Sequence, residues 1–582
     1  MTQTCRQCAN QFKIKDEDLH FYDKISPVFA DKKYPIPPPT LCRDCRLQRR
    51  TAWRNERYYY PRTCDQCKKS IISIFAPDQK MPVYCNKCWW GDSWDAKTYG
   101  RDYDFNRPFF EQLKELMNTV PQLAIQNDDG IGSVNCQYCQ DFSMGKNCYF
   151  VIGTWYTQDS FYCNINCSYN RDICDCTNIS KSELAYECTD SQLLYNCDFL
   201  QNSENCTDCF LGFDLKGCRN CFGCIGLRQK QFYIFNKPYS EAEYRQKIAS
   251  FQLDSYQSFE KVKNEYAHWM LQFPHRDMYL QNCENCAGNN LHNCRNCYGF
   301  SMLNGENSRY CDQGDNNMFS YDITNSGKPN WCYEGMTPDN SYMTHFSWFS
   351  WKDKYTLYSL NCHSSEHLFG CIALHRAKYC ILNKQYTKEE YEKLVPKIIE
   401  HMGGRAHGAS AQANEIGSRG PQSSEAELKE KSWGEFLPIK DSYFAYNETV
   451  AQENFPLTKE QTEAKGWKWR EKDPKQYQAQ TYQIPDELKD VTEQIIKEIL
   501  ACNECGKNYK IIAQELEYYK KMQLPIPRKC LDCRHKSRLA RRTPYKLWQR
   551  TCAKCSKPIQ TSYSPERPEI VYCEACYLKE VY

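Results

Sequence analysis

The chain is 582 residues long, with 39 cysteines and a formal net charge of +3. That balance excludes a polycation that grips nucleic acid by bulk charge, so any such contact must come from a local cluster. No apolar run approaches the roughly 20 residues of a membrane span, and none follows Met1 to make an export signal, so a reducing cytoplasm is expected, where thiols bind metal more readily than they pair.

Residues 1–95 read as a double zinc-binding module. Four C-x-x-C pairs stand there: Cys5/Cys8, Cys42/Cys45, Cys64/Cys67 and Cys85/Cys88. Four thiolates suit tetrahedral Zn2+, which is soft enough for sulfur and imposes no geometry of its own. Pairing in chain order makes two sites, with a cross-braced arrangement as the alternative. Four protein ligands leave no open position, so both ions would be structural. Behind Cys45, Arg46, Arg49, Arg50, Trp53, Arg54 and Arg57 fall at the spacing of one helix face. A basic face with one aromatic suggests phosphate contact; the plainer reading is a solvated charged face.

Residues 96–135 form a connector whose helix, Phe109 to Val120, opens behind Pro108, since proline fits a helix's first position. A cysteine-rich β-solenoid copy with a closing helix follows at 136–250. Cys167, Cys176, Cys188, Cys197, Cys209 and Cys218 step by 9, 12, 9, 12 and 9 residues. The summed period predicts coils of about 21 residues. Short apolar runs broken by Asn, Asp, Ser and Gly favour strands over helices. The ladder thiols are read as buried, reduced and metal-free, because the 9/12 steps supply no converging pairs. Cys206/Cys209 and Cys221/Cys224 keep a metal-binding ladder as the alternative. Ser240 with Glu243 is a capping box for the closing helix.

After a helical connector at 251–282, the pattern repeats 147 residues on. Phe369-Gly370-Cys371-Ile372 answers Phe222-Gly223-Cys224-Ile225, and Thr387 with Glu390 answers Ser240 with Glu243. This second solenoid copy, 283–402, holds nine cysteines against fourteen in the first, a loss that argues against a metal array. Residues 403–430 are rich in Gly, Ala and Ser and read as a flexible linker. Residues 431–498 read as a connector with a short helix after Thr458.

Residues 499–582 return to a double zinc-binding module. Cys530, Cys533, Cys552, Cys555, Cys573 and Cys576 sit 488 residues after Cys42 through Cys88, and Cys502/Cys505 complete the set. Arg534, Lys536, Arg538, Arg541 and Arg542 supply the matching basic face, and Pro544 is expected to end that helix sooner than in the first copy. The fold class is therefore mainly β, a duplicated β-helix-like solenoid with capping helices between duplicated zinc modules.

Three stretches carry a resemblance: Cys502-Asn503-Glu504-Cys505-Gly506, Glu515-Leu516-Glu517-Tyr518-Tyr519, and Pro527-Arg528-Lys529-Cys530-Leu531-Asp532-Cys533-Arg534. Together they resemble a small family of zinc-binding domains of zinc-ribbon or treble-clef type. Cys5 to Arg46 resembles it more loosely and carries an insertion. The whole chain is similar to cysteine-rich multi-zinc-ribbon proteins of candidate-phyla bacteria. The resemblance implies zinc binding and no activity.

These features lead to a zinc-stabilised, non-catalytic binder of RNA, DNA or ribonucleoprotein, held by four structural zinc ions. Two basic modules, one beyond a tether, would gain avidity, and solenoid tyrosines could stack bases. The alternative is a zinc-dependent protein-interaction scaffold, since solenoids offer long surfaces. A β-helix enzyme built on His363, His367 and His375, or a zinc store or redox sensor, ranks below both, because no paired acid and nucleophile stands out. No membrane partner is expected.

Overall fold

A computed structural model describes residues 1–127, 132–324, 327–337, 339–403, 432–471 and 477–581. The linker expected at 403–430 lies, beyond Gly403, outside the described residues.

Two long parallel sheets dominate a mainly β chain, and their repeating unit is three residues. From Asp190 to Phe235 every third residue has a positive φ. An L-residue in that region costs roughly 1–2 kcal/mol, and least for Asn and Asp, whose short side chains bond locally. Asn196, Asn202, Asn205, Asp208, Asp214 and Asn220 occupy such positions, which is why the stretch looks loop-rich in sequence. From Ser191 to Cys224 the residue after each is buried, as at Leu194, Cys197, Leu200, Ser203, Cys206 and Cys209.

Four triplets make one rung. Parallel partners lie 12 residues apart, so Cys197 faces Cys209, Leu194 faces Cys206 and Gly212 faces Cys224. This corrects the 21-residue coil. Steps of 9 and 12 both count buried triplet positions, and only the 12 is a rung.

The buried thiols bond to the backbone. Cys188 Sγ donates to Tyr186 O at 3.5 Å and Cys197 O at 3.3 Å, and Cys197 Sγ donates to Tyr195 O and Cys206 O. Serines in the second sheet do the same: Ser320 Oγ donates to Met318 O at 2.8 Å and Pro329 O at 2.9 Å. The thinning of cysteine in the second copy is thus in part replacement by a side chain that keeps the same two acceptors. Amide side chains add an outer ladder. Asn196 donates to Asp208 at 2.6 Å, and Asn282, Asn293 and Asn304 form a run in which the rungs shorten to 11 residues.

Each sheet ends in an antiparallel turn-back, Gln231–Ile234 with Lys237–Pro238 and Lys378–Ile381 with Lys384–Gln385. The expected capping boxes follow, Ser240 Oγ accepting from Glu243 N at 3.3 Å and Thr387 Oγ1 from Glu390 N at 3.2 Å. The helix behind Pro108 spans Phe109–Met117 and stops short of Val120, and Thr458 caps Lys459–Glu463.

The chain divides into two units. Unit 1 is Met1–Asp129, Gln281–Ala287 and Leu291–Arg470; unit 2 is Gly130–Leu280, Gly288–Asn290 and Glu471–Tyr582. Each unit therefore joins a terminal module to the sheet that is remote from it in sequence. In unit 2 a short parallel pair, Ile570–Tyr572 with Pro274–Arg276, ties the module to the segment that follows the first sheet, while in unit 1 Val83–Tyr84 pairs with Gln122–Leu123 of the neighbouring connector. In unit 1 one apolar core runs through module and sheet and includes fully buried Trp53, Trp89 and Trp348. In unit 2 the sheet core is a narrow file rich in cysteine, with Leu194, Leu200 and Ile179 among them.

Candidate metal centres and the arginine helices

All sixteen terminal cysteines have one local build. The first pair of each cluster sits in the turn of a hairpin and the second at a helix start. For Cys5/Cys8 and Cys42/Cys45 the hairpin is Thr2–Thr4 with Gln11–Lys13, and Cys42 is the N-cap of the helix Arg43–Thr51. For Cys502/Cys505 and Cys530/Cys533 it is Leu500–Ala501 with Asn508–Tyr509, and Cys530 caps Leu531–Arg541. Cys64/Cys67 with Cys85/Cys88, and Cys552/Cys555 with Cys573/Cys576, repeat the plan.

The four sulfurs of each cluster lie within 4.8 Å of one another. Cross-pair edges are 3.7 Å for Cys8–Cys42 and Cys505–Cys530, and 3.8 Å for Cys67–Cys85 and Cys555–Cys573. A tetrahedral ion with metal–sulfur bonds of about 2.3 Å requires edges of about 3.8 Å. Each cluster can therefore hold one metal ion, and the pairing is in chain order, not cross-braced. Backbone amides support the buried sulfurs: Cys42 N donates to Cys5 Sγ and Cys85 N to Cys64 Sγ, both at 3.3 Å, and Cys573 N to Cys552 Sγ at 3.2 Å. Burial pushes the Cys552 thiol up, but the N–H groups of Cys555, Cys573 and Lys554 pull it down to about 6, toward the thiolate a metal needs.

Most of the arginines on these faces are turned away from solvent and held by acids, which corrects the phosphate-contact expectation for them. Arg46, Arg49, Arg50, Arg54, Arg534, Arg538 and Arg542 are all buried. In unit 1, Asp322 takes both Arg46 Nε and Arg50 Nη1 at 3.0 Å, Glu334 pairs with Arg49, and Glu56 with Arg54. In unit 2, Asp175 takes Arg538 at 2.6 Å and Arg534 at 3.2 Å, Glu187 takes Arg538 and Arg541, and Asp190 takes Arg542 at 2.7 Å. Burial alone would lower the Arg46 and Arg538 pKa, but Asp322 and Asp175 raise them above the ordinary arginine value, so both stay charged. Trp53 packs on Trp348 and Tyr443 and is closed to a base. Arg57 and Arg541 are half-buried, and Lys536 is the one exposed member of the set.

The geometry explains the match. Asp175 and Glu187, like Asp322 and Glu334, are one 12-residue rung apart, which is about 4.8 Å between neighbouring strands. Arginines four apart on a helix rise about 6 Å. The helix therefore clips successive rungs. These acids were missed in sequence, although their signal was there: the two pairs are related by the same 147 residues as the two halves of the duplication. Two smaller expectations also fail. The first helix ends at Thr51, leaving Arg54 and Arg57 beyond it, and the second, ending at Arg541, is longer than the first, not shorter.

His363 and His375 meet Trp89 edge-on, His375 stacks on Trp90 and His363 lies tilted against it, and His367 lies between Tyr355 and Tyr379. Burial holds His375 down to about 4. They serve aromatic packing.

No family model matches the chain, and no curated protein matches it. Among solved structures, it is similar to a "putative acetyltransferase from Desulfovibrio desulfuricans G20" at 10% identity, over 40% of this chain and 62% of that one, with a TM-score of 0.09. The chain thus spans under two thirds of that protein's length, and so low a score carries no argument.

Proposed function

We propose that the protein is a zinc-stabilised, non-catalytic interaction scaffold that holds irregular peptide segments in the cleft between a metal module and a parallel sheet. One observation carries this reading: unit 1 already holds such a segment, Ser432 to Tyr446. Glu435 accepts from Arg49 and Thr40, each at 2.6 Å. Gly434 N donates to the Tyr358 hydroxyl, Ser442 Oγ donates to Ala52 O, both at 2.9 Å, and Asp441 pairs with Lys114 at 2.7 Å. Tyr443 inserts among Trp53, Phe75 and Trp348. A backbone held by polar contacts and anchored by one aromatic is how grooves take peptides.

In this reading each cluster takes one zinc ion, because four thiolates and closed tetrahedral geometry favour it. The 12-residue rungs stack as a β-solenoid, a rigid flank for the cleft. The arginine helices are clips, so nucleic-acid binding through them is not part of the function.

The test is a comparison on the zinc-loaded full chain. A peptide array should capture it, while single-stranded RNA and duplex DNA should show no saturable binding below about 10 µM at roughly 50 mM salt. Tight RNA or DNA binding that falls steeply with salt, with no peptide captured, would overturn the reading.

A further inference from the structure

Unit 2 encloses a cavity of about 480 Å³ among its module, its sheet and the helix Tyr256–Trp269. That is the size of a pocket for a small organic molecule. Each of the three elements supplies rings to its wall: Phe199 and Phe213 from the sheet, Phe259 and Tyr266 from the helix, and Tyr563 from the module. Such a wall suits a flat, mostly apolar occupant.

The charges in the wall are already neutralised. Arg541 has Glu187, Lys263 has Glu260 and Lys529 has Glu504, each at 2.8 Å. Arg534 has Asp175 at 3.2 Å, Arg528 has Asp486 at 3.8 Å, and Arg567 pairs with Glu569. A charged occupant would be desolvated without a counter-ion, so an uncharged one fits.

Two buried polar groups in the wall lack a partner. His275 is fully buried, with its ring 4.8 Å from that of Phe213. Its Nδ1 lies 3.1 Å from Phe273 O, an acceptor, so Nδ1 carries the proton and donates. Burial holds the ring's pKa down to about 4, which keeps it neutral and leaves Nε2 as a bare acceptor. Among the described residues, nothing donates to Nε2, and nothing pairs with the buried Thr189 Oγ1. Buried polar atoms without a partner are costly, and a bound molecule that meets them recovers that cost.

The duplication shows that these groups are particular to unit 2. In unit 1 the corresponding places are held by Met336, Trp348 and Phe75 of the apolar core, with Tyr443 packed against Phe75 and Trp348. Their counterparts, 147 residues earlier in the sheet and 488 later in the module, are Thr189, Gln201 and Tyr563, and all three line the cavity. Hydroxyls thus stand in unit 2 where unit 1 has a thioether and a phenyl ring.

We infer that this cavity binds an uncharged aromatic small molecule through a hydroxyl group that donates to His275 Nε2. Thr189 Oγ1 offers a second polar contact, and the rings of sheet, helix and module hold the aromatic body. The inference is separate from the scaffold reading, and its failure would leave that reading untouched.

The probes are 2-naphthol and 2-methoxynaphthalene, which share the rings and differ in the donor. Each is equilibrated by dialysis against the zinc-loaded full chain. 2-Naphthol should bind saturably with a Kd on the order of 10–100 µM, and the ether about five- to tenfold more weakly. His275→Phe should abolish that preference. Ser537→Trp, which places an indole on the cavity wall, should weaken 2-naphthol by about tenfold or more. Unchanged zinc content guards against misfolded variants, and the comparison of the two probes on the parent decides even where His275→Phe lowers stability. No saturation by 2-naphthol up to about 1 mM, equal affinity of the parent for both probes, or undiminished binding by Ser537→Trp would overturn the inference.

Discussion

The crosswise assembly of modules and sheets makes a sharp prediction at Asp175. This carboxylate is fully buried and serves two guanidiniums, Arg538 at 2.6 Å and Arg534 at 3.2 Å. Asp175→Asn removes the charge and leaves both cations in place. Breaking one side of a buried pair costs roughly 3–5 kcal/mol. Arg534 retains Glu515 at 3.1 Å and Arg538 retains Glu187 at 3.2 Å, so the lower end, about 3 kcal/mol, is expected. That raises the local opening equilibrium about a hundredfold. Hydrogen exchange read by mass spectrometry on the full chain should show faster exchange in Leu531–Arg541 and Thr189–Gln201, and none added in Arg43–Thr51. Asp322→Asn should do the reverse. Asp175→Leu with Arg538→Met should recover part of the loss, since an apolar pair avoids the desolvation of two charges. Faster exchange in Arg43–Thr51 on Asp175→Asn, or none in Leu531–Arg541, would refute the crosswise pairing.

Elemental analysis should find four zinc ions per chain, one for each cluster, and fewer than about three would count against chain-order pairing. Chelation should loosen both modules and their arginine clips, leaving the parallel sheets protected; sheets lost at the same chelator concentration would refute this. Cys197→Ser should cost only about 1 kcal/mol in a denaturant titration, because serine reaches the same two carbonyls, whereas Cys533→Ser should lower metal content as well. Burial depresses His345 to about 3, with a backbone contact to Ile25 opposing, so its contribution to stability is full above its ordinary value near 6.5 and is lost as pH falls toward 3. His345→Gln should flatten the acid loss of unit 1 stability by about 1.4 kcal/mol per pH unit, and an unchanged slope would exclude that histidine as a source.

The sixteen clustered cysteines were legible in sequence because metal ligation works at short range: C-x-x-C sets two sulfurs on one turn; which pairs share a site was left open by the spacing and decided by the sulfur distances. The 147-residue duplication and its capping boxes were legible for the same local reason. The rung length was not. Buried positions recur every third residue, and 9, 12 and 21 are all multiples of three, so spacing alone could not say which carbonyl ladder closes; the parallel hydrogen bonds at 12 residues decided it. The arginine faces show the larger limit. Arg46, Arg50, Arg534 and Arg538 stand at helical spacing in sequence, and helical spacing says which side chains share a face but not what that face touches. The answer depended on carboxylates more than 270 residues away, Asp322 for Arg50, and more than 360 away, Asp175 for Arg538. Only the folded chain brings such groups within 3 Å, and at that distance, away from water, an arginine that looked free for phosphate is already held by an acid.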